Sequence, residues 1–285
     1  MNGLLILNKP AGVTSRHVVD VAERWFPGEK IGHAGTLDPL ATGVLVLCLG
    51  SATRLIEYVQ DLDKTYAANL RLGAWSSTDD ADGDIEPVNK PSVPEVAQLQ
   101  GALASFVGEI DQTPPAYSAA RLRGRRAHQF ARRGHEVQLQ PRRVRIDNIR
   151  LLQYAFPMVG IEIACGKGTY IRSLARDLGE RLGCGAFVAS LQRSRIGPFH
   201  VRDALDLNCG ADSAMQHLLP AKAAVAHLPV ITLSSADLLR LRWGQILGGF
   251  SGLPLCEIAV LDANGELAAV AASKTADTIK ARKML

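Results

Sequence analysis

The chain has 285 residues, with 32 Lys and Arg against 28 Asp and Glu for a formal net charge of +4. That length supports a large core, arranged as one big domain or as a big and a small one, and 47% hydrophobic with 21% charged residues excludes a fibrous or largely disordered chain. A bilayer-spanning helix needs roughly 20 apolar residues in a row, whereas the longest clean run, Gly43 to Gly50, is strand-sized.

Near the start, Leu4-Leu5-Ile6-Leu7 reads as a strand and is followed at once by Asn8-Lys9-Pro10. It lacks the basic n-region and the apolar length of a signal peptide, so a cytoplasmic location is expected. After a Pro-Gly turn, a helix is predicted from about Ser15, with Val18, Val21, Ala22, Trp25 and Phe26 as its apolar stripe and Pro27-Gly28 as its stop. The Gly-rich loop Gly32-His33-Ala34-Gly35-Thr36-Leu37-Asp38-Pro39-Leu40-Ala41-Thr42-Gly43 leads into a buried strand, Val44 to Leu49, and a helix around Ala52 to Gln60. Between Lys64 and Leu72, alternation places Tyr66, Ala68, Leu70 and Leu72 on one face of a half-buried strand. A helix near Val93 to Phe106 follows.

From Thr113-Pro114-Pro115 onward the chain becomes rich in arginine and is read as an extended surface excursion over about 111–145. It returns as a strand, Met158 to Cys165, a tight Gly166-Lys167-Gly168 turn, and a helix from Thr169 with Ile171, Leu174, Ala175, Leu178 and Leu182 as its stripe. The segment from about Ala226 reads as a small separate β module with a short helix at Ser235 to Trp243 and two strands around Asp262-Ala263-Asn264-Gly265. Strands and helices mix without strict βαβ alternation, so the expected class is α+β. The domains are then 1–225 and 226–285.

The five cysteines are far apart and form no C-x-x-C pair, so they read as reduced core residues, and neither H-E-x-x-H nor a paired-Asp metal loop occurs. No metal and no cofactor is expected. Gly166-Lys167-Gly168 lacks the third glycine of a dinucleotide fingerprint, with Ile171 in its place, and Gly32-His33-Ala34-Gly35 matches a GXXG loop without its flanking helices.

Two features carry chemistry. Taken alone, Asp38-Pro39 reads as a helix N-cap with Pro at the first position of a short helix from Leu40. Its company of Gly32, Gly35 and Gly43, which permit close backbone approach, and of His33 and Thr36 as donors also fits a carboxylate acting as nucleophile or base. The second feature is charge placement. Between Arg121 and Arg150 ten arginines stand against two acids, Glu136 and Asp147, while Asp79-Asp80-Ala81-Asp82-Gly83-Asp84 forms a small acidic counterpart. Arg121, Arg123, Arg125, Arg126, Arg132, Arg133, Arg142, Arg143 and Arg145, interleaved with His128 and Phe130, offer bidentate phosphate contacts and stacking surfaces, which points to a nucleic-acid partner. Tyr66 fits core as well as function, and Arg172, a cation in the first turn of a helix, calls for a compensating partner.

The run from Gly32 to Gly43 closely resembles the signature of the bacterial tRNA pseudouridine synthase family called TruB. Further stretches agree in order: Leu7-Asn8-Lys9-Pro10, Lys64-Thr65-Tyr66, Thr113-Pro114-Pro115-Ala116-Tyr117-Ser118-Ala119, Gly168-Thr169-Tyr170-Ile171-Arg172 and Leu191-Gln192-Arg193. Gln192 stands where the family often has Arg, and His128 and Phe130 occupy a part of the insertion that often carries tyrosine.

The resemblance implies a pseudouridine synthase fold with a mixed, mostly antiparallel sheet and flanking helices, an arginine-rich insertion clamping the tRNA T-arm, and a PUA-like RNA-binding module at the end of the chain. It further implies a monomer without an obligate protein partner, isomerising uridine 55 of tRNA without a cofactor, with the base flipped out. Asp38 would be the essential carboxylate, Tyr66 the stacking partner of the uracil, and Arg172 the cation that positions Asp38. His33, Lys9 and Leu191 would contact the substrate, Leu191 from the pocket floor. A tRNA-binding or folding protein without turnover is the alternative, against which the intact Asp38, Tyr66 and Arg172 set argues. An Asp-nucleophile hydrolase would need a second Asp where Leu40 stands.

Overall fold

The structure is a computed structural model and describes all residues except 119, 123, 124, 128, 129, 131, 132, 134 and 136, with the side chains of 121, 122, 125 and 126 also outside the described set. The main sheet is built from β1 (Gly3–Lys9), β2 (Ile31–His33), β3 (Thr42–Leu49), β4 (Lys64–Leu72), β5 (Gly108–Gln112), β6 (Arg142–Ala155), β7 (Met158–Cys165), β8 (Ala186–Ile196), β9 (Phe199–His200) and β10 (Leu205–Asp206). Its order is β10-β1-β3-β8-β4-β7-β6-β5, with β2 beside β3 and β9 folded onto β8. Only the β1–β10 and β3–β8 pairs are parallel. The sheet is thus mixed and mostly antiparallel, in an α+β fold.

β1 and β3 are continuous apolar runs because both of their faces are covered. Leu5, Leu7, Leu45 and Leu47 pack on Val18, Val19 and Ala22 of α1 (Ser15–Trp25), while Leu4, Ile6, Val44 and Val46 meet Leu55, Val59 and Ala221 on the other side. The helix expected around Ala52 to Gln60 divides into a 3-10 turn, Gly50–Leu55, and α2 (Ile56–Asp61). β4 follows its alternation, with Tyr66, Ala68, Leu70 and Leu72 buried over Leu99 and Leu103 of α3 (Val96–Ala104) and Leu174, Ala175 and Leu178 of α4 (Ile171–Leu182).

The arginine-rich stretch departs from the expected excursion at both ends. β5 and β6 pair from Gln112↔Arg142 to Gly108↔Ile146, so the insertion is rooted in the sheet edge. Arg143 and Arg145 take the exposed positions of β6 and Val144 and Ile146 the buried ones. The density of arginine masked this period-2 pattern.

A second sheet holds β11 (Val230–Thr232), β12 (Glu257–Leu261), β13 (Leu267–Thr275) and β14 (Thr278–Met284), beside α6 (Ser235–Arg242). α5 (Ala211–Gln216) lies before it in the chain. The separation is one of sheets rather than of cores. Ala259, Leu267 and Val270 share a cluster with Val44, Val46 and Tyr58 of the first sheet's side, whereas Ile258, Val260, Ala269 and Ile279 face Leu241 of α6. Among the described residues no helix is long and apolar enough to cross a membrane.

At the centre of the main sheet β3 meets β8 at Gly43↔Arg193. Gly43 has φ +101°, and a Cβ there would stand 2.3 Å from the Arg193 carbonyl oxygen. Gly43→Ala is expected to cost roughly 2–4 kcal/mol through backbone strain and steric conflict. Gly265→Ala, at φ +78° in open space, is expected to cost only about 1–2 kcal/mol for its left-handed conformation. Equal shifts of the two denaturant midpoints would contradict this close approach.

Candidate active site

The Gly-rich loop begins where β2 ends at His33, which pairs with Leu47. Its course is fixed by its backbone. Gly35 and Thr36 give their carbonyls to Arg193, at 3.1 and 3.4 Å. Leu37 exchanges both of its backbone groups with the Ser15 hydroxyl, at 2.8 and 3.0 Å. Pro39 receives the Gly12 amide at 2.9 Å and the Lys9 ammonium at 3.1 Å. The short helix expected from Leu40 does not form. Ala41 donates its amide to the Asp38 carbonyl at 3.1 Å, closing a reverse turn with Pro39 in its second position. β3 starts at Thr42 and leaves no length for a helix.

Held in this way, Asp38 lines a cleft of about 740 Å³ together with Tyr66, Arg172, Leu191 and Arg193. Its carboxylate is about a third exposed, and Oδ2 lies 2.9 Å from Arg172 Nε. The N–H of that nitrogen is off the line to the oxygen, so the contact is an ion pair rather than an aligned hydrogen bond. Burial pushes the Asp38 carboxyl above its usual pKa, the Arg172 cation opposes that shift, and Asp80 adds to it.

Arg172 is buried in the first turn of α4, where the helix dipole disfavours a cation. Its compensation comes from acceptors around the fork. Nη1 donates to the Thr78 carbonyl and Nη2 to that of Tyr117, both at 2.9 Å, and Asp80 Oδ2 stands 3.4 Å from Nη1. One turn on, Arg176 pairs with Asp79 at 3.1 Å and Asp177 at 2.8 Å. The acidic run is therefore the internal counterpart of α4's arginines. It docks on β8, with Ala81 and Asp79 hydrogen-bonded to the Val188 backbone.

Tyr66 sits on the buried face of β4, where burial raises the pKa of its phenol and the neighbouring Arg193 guanidinium opposes that shift. Leu191 is buried on β8 opposite Ala68 and extends the apolar floor of the cleft. His33 is partly exposed at the start of the loop.

Lys9, expected from the resemblance to contact the substrate, is enclosed in this structure. It is fully buried and donates to the carbonyls of Pro10, Val13 and Pro39, so burial pushes its pKa down to about 8 while Asp38 works in the opposite direction. Its sequence context, next to a proline turn, gave no sign of that enclosure. Lys64 is similar: it is buried, directed at the carbonyls of Gln60 and Leu62, and lowered to about 8 by burial with Arg193 adding to the shift.

Of the arginines expected to contact RNA, Arg123 and Arg132 lie outside the described residues, as do the side chains of Arg121, Arg125 and Arg126 and the neighbouring His128. Arg133 is exposed. Arg143 pairs with Glu109 at 3.3 Å and Arg145 with Asp147 at 3.1 Å on the open surface, where such pairs are weak and exchangeable.

Sequence reasoning passed over Arg193 and Asp80 as site residues. Strand alternation held a signal for Arg193, because it stands two residues from Leu191 and so shares its inward face. The pairing of Asp80 with Arg172, 92 positions along the chain, left no local trace.

A profile of the TruB family pseudouridylate synthase N-terminal domain matches residues 23–171, and one of the tRNA pseudouridylate synthase B C-terminal domain matches residues 172–225. The tRNA pseudouridine synthase B of Dehalococcoides mccartyi is 44% identical over 283 residues, covering 96% of this chain and 93% of that protein. Its counterpart from Xanthomonas campestris pv. campestris is 43% identical over 274 residues, covering 93% and 88%. Among solved structures, a Cbf5-Nop10-Gar1 complex is similar at 26% identity with a TM-score of 0.75. An H/ACA RNP bound to a substrate RNA containing 2'-deoxyuridine is similar at 25% and 0.74, and each of the two covers 99% of this chain and 84% of its own. With profiles across most of its length and relatives above 40% identity over nearly all of it, the chain belongs to the TruB family of pseudouridine synthases.

Proposed function

We propose that this protein converts uridine 55 in the T-loop of tRNA to pseudouridine, acting as a monomer in the cytoplasm, with Asp38 as the essential carboxylate. The observation that carries the reading is the Asp38 carboxylate in a cleft, paired with the buried Arg172 and sharing that cleft with Tyr66 and Leu191.

The isomerisation breaks the bond from C1' to N1, turns the uracil and joins C1' to C5, while the C5 proton is lost and N1 gains one. A base stacked in a folded arm must first be flipped out, at a cost of a few kcal/mol. The aromatic face of Tyr66 and the apolar side of Leu191 recover part of that cost by packing on the uracil. A cleft of about 740 Å³ lies within the range of sites that enclose small molecules. The arginine-rich insertion grips the T-arm phosphates, and residues 226–285 serve as a PUA-like RNA-binding module.

Whether Asp38 attacks the sugar, attacks the base or takes a proton from C2', it acts in its ionised form. Arg172 favours that form against the desolvation that opposes it. A protein that only binds or folds tRNA has no use for a buried arginine holding one carboxylate toward an open cleft, so the catalytic reading is preferred.

Asp38→Asn is expected to bind tRNA as the wild type does while losing at least about 10²-fold in tritium release from tRNA labelled at uridine C5. Release at the wild-type rate would remove Asp38 from the chemistry. The pH dependence has a definite sign. Since burial raises the Asp38 pKa and Arg172 holds it down, the acid limb of single-turnover activity should lie above the ordinary carboxylate range and move to still higher pH in Arg172→Gln. An acid limb that stays in place in this variant would show that Arg172 does not govern the ionisation of Asp38.

A further inference from the structure

We propose that Arg193 is a positioning residue for the reaction: its guanidinium fixes the backbone of the catalytic loop at Gly35 and Thr36 and so sets the height of the Asp38 carboxylate over the Tyr66 and Leu191 floor. The proposal rests on the reading of Asp38 given above.

Arg193 is among the largest fully buried side chains of the protein, 2% exposed, at an inward position of β8. Among the described residues no carboxylate lies within ion-pair distance of it; it donates to three main-chain oxygens, Nε to Val44 at 2.8 Å, Nη2 to Gly35 at 3.1 Å and Nη1 to Thr36 at 3.4 Å, and it also hydrogen-bonds the Tyr66 phenol. Enclosing a cation without a counter-charge is costly, and an apolar side chain of similar volume would fill a core at lower cost. The arrangement makes sense if the fork itself is needed. Its planar donors hold three carbonyls at fixed mutual angles, which an ammonium group cannot do.

Those carbonyls belong to the parts that must keep register for the site to exist. Val44 is the first residue of the apolar run of β3, and Gly35 and Thr36 lie three and two residues before Asp38. Across the sheet Arg193 pairs with Gly43 on one side and Tyr66 on the other. Leu37 is clamped independently by Ser15, so between the Thr36 carbonyl and the Asp38 side chain little freedom is left. Loss of the fork frees the Gly35–Thr36 segment that leads to Asp38, while Ala34 stays bonded to Val46 and the Pro39 end stays tied to Gly12 and Lys9. A displacement of about 1 Å at the reacting groups is enough to cost on the order of 10²-fold in rate.

The test compares Arg193→Met, Arg193→Lys, Asp38→Asn and Leu49→Ala, the last a core truncation at the far end of β3 from Val44. Melting temperature, tRNA affinity by filter binding, and single-turnover tritium release per folded enzyme are measured for each. Arg193→Met should lose on the order of 10²-fold in single-turnover rate with tRNA affinity unchanged, Arg193→Lys should lose less, and Leu49→Ala should keep the wild-type rate despite a lowered melting temperature. If Arg193→Met does not fold, a reduced rate at unchanged affinity in folded Arg193→Lys carries the same weight. Wild-type rates in the folded Arg193 variants would overturn the proposal. So would an equal rate loss in Leu49→Ala, or a loss of tRNA affinity in place of rate. Wild-type turnover by Asp38→Asn would overturn the reading of Asp38 itself, a failure distinct from that of the Arg193 arms.

Discussion

The ion pair between Arg172 and Asp38 sets two opposing demands that much of the surrounding structure satisfies. The cleft withdraws the carboxylate partly from water, and that withdrawal favours its protonated form. A cation at van der Waals distance restores the charged form, but only if that cation is itself stabilised, since a buried guanidinium with open donors is unfavourable. The carbonyls of Thr78 and Tyr117 and the carboxylate of Asp80 meet this requirement from the side away from the cleft. Arg172 is thereby held from behind and meets the cleft through its Nε edge at Asp38. The acidic loop, the arginines of α4 and the Gly-rich loop form one electrostatic unit although they come from distant parts of the chain.

Beneath that unit lies a second set of constraints made of backbone. The carbonyls of Gly35, Thr36 and Pro39 accept from the side chains of Arg193 and Lys9, and Leu37 is paired with Ser15. A loop whose main chain is held at successive residues presents its one acid in a defined place, which is the pre-organisation that the role proposed for Asp38 requires. The sheet provides the frame. Gly43, Arg193 and Tyr66 stand in one row across β3, β8 and β4, so the floor of the cleft and the support of the loop share a register. Glycine at position 43 is what lets two of those strands meet at that point.

Much of this was legible in the sequence where the physics is local. The uninterrupted apolar runs of β1 and β3, the alternation of β4 and the amphipathic stripe of α4 each follow from periodicity, and they placed Tyr66 and Arg172 on their elements. The loop around Asp38 stood out by its glycines. What periodicity could not supply was long-range electrostatic pairing: that Asp79 and Asp80 close on α4, that Lys9 is enclosed, and that Arg193 faces inward. The turn at Asp38-Pro39 was read as a helix start because N-caps and type I turns share the same residues, and only the early onset of β3 decides between them. The strand β6, which pairs with the edge strand β5, was hidden by arginines that alternate with its buried residues.

The claim that Asp38 serves a site-specific isomerisation of tRNA is tested most directly in the cell. Pseudouridine is mapped at nucleotide resolution in tRNA from cells lacking this protein, and from the same cells complemented with the wild type or with Asp38→Asn. The expected result is loss of the single modification at uridine 55, restored by the wild type and not by Asp38→Asn. Persistence of pseudouridine at that position in the cells lacking the protein, or its restoration by Asp38→Asn, would contradict the assignment.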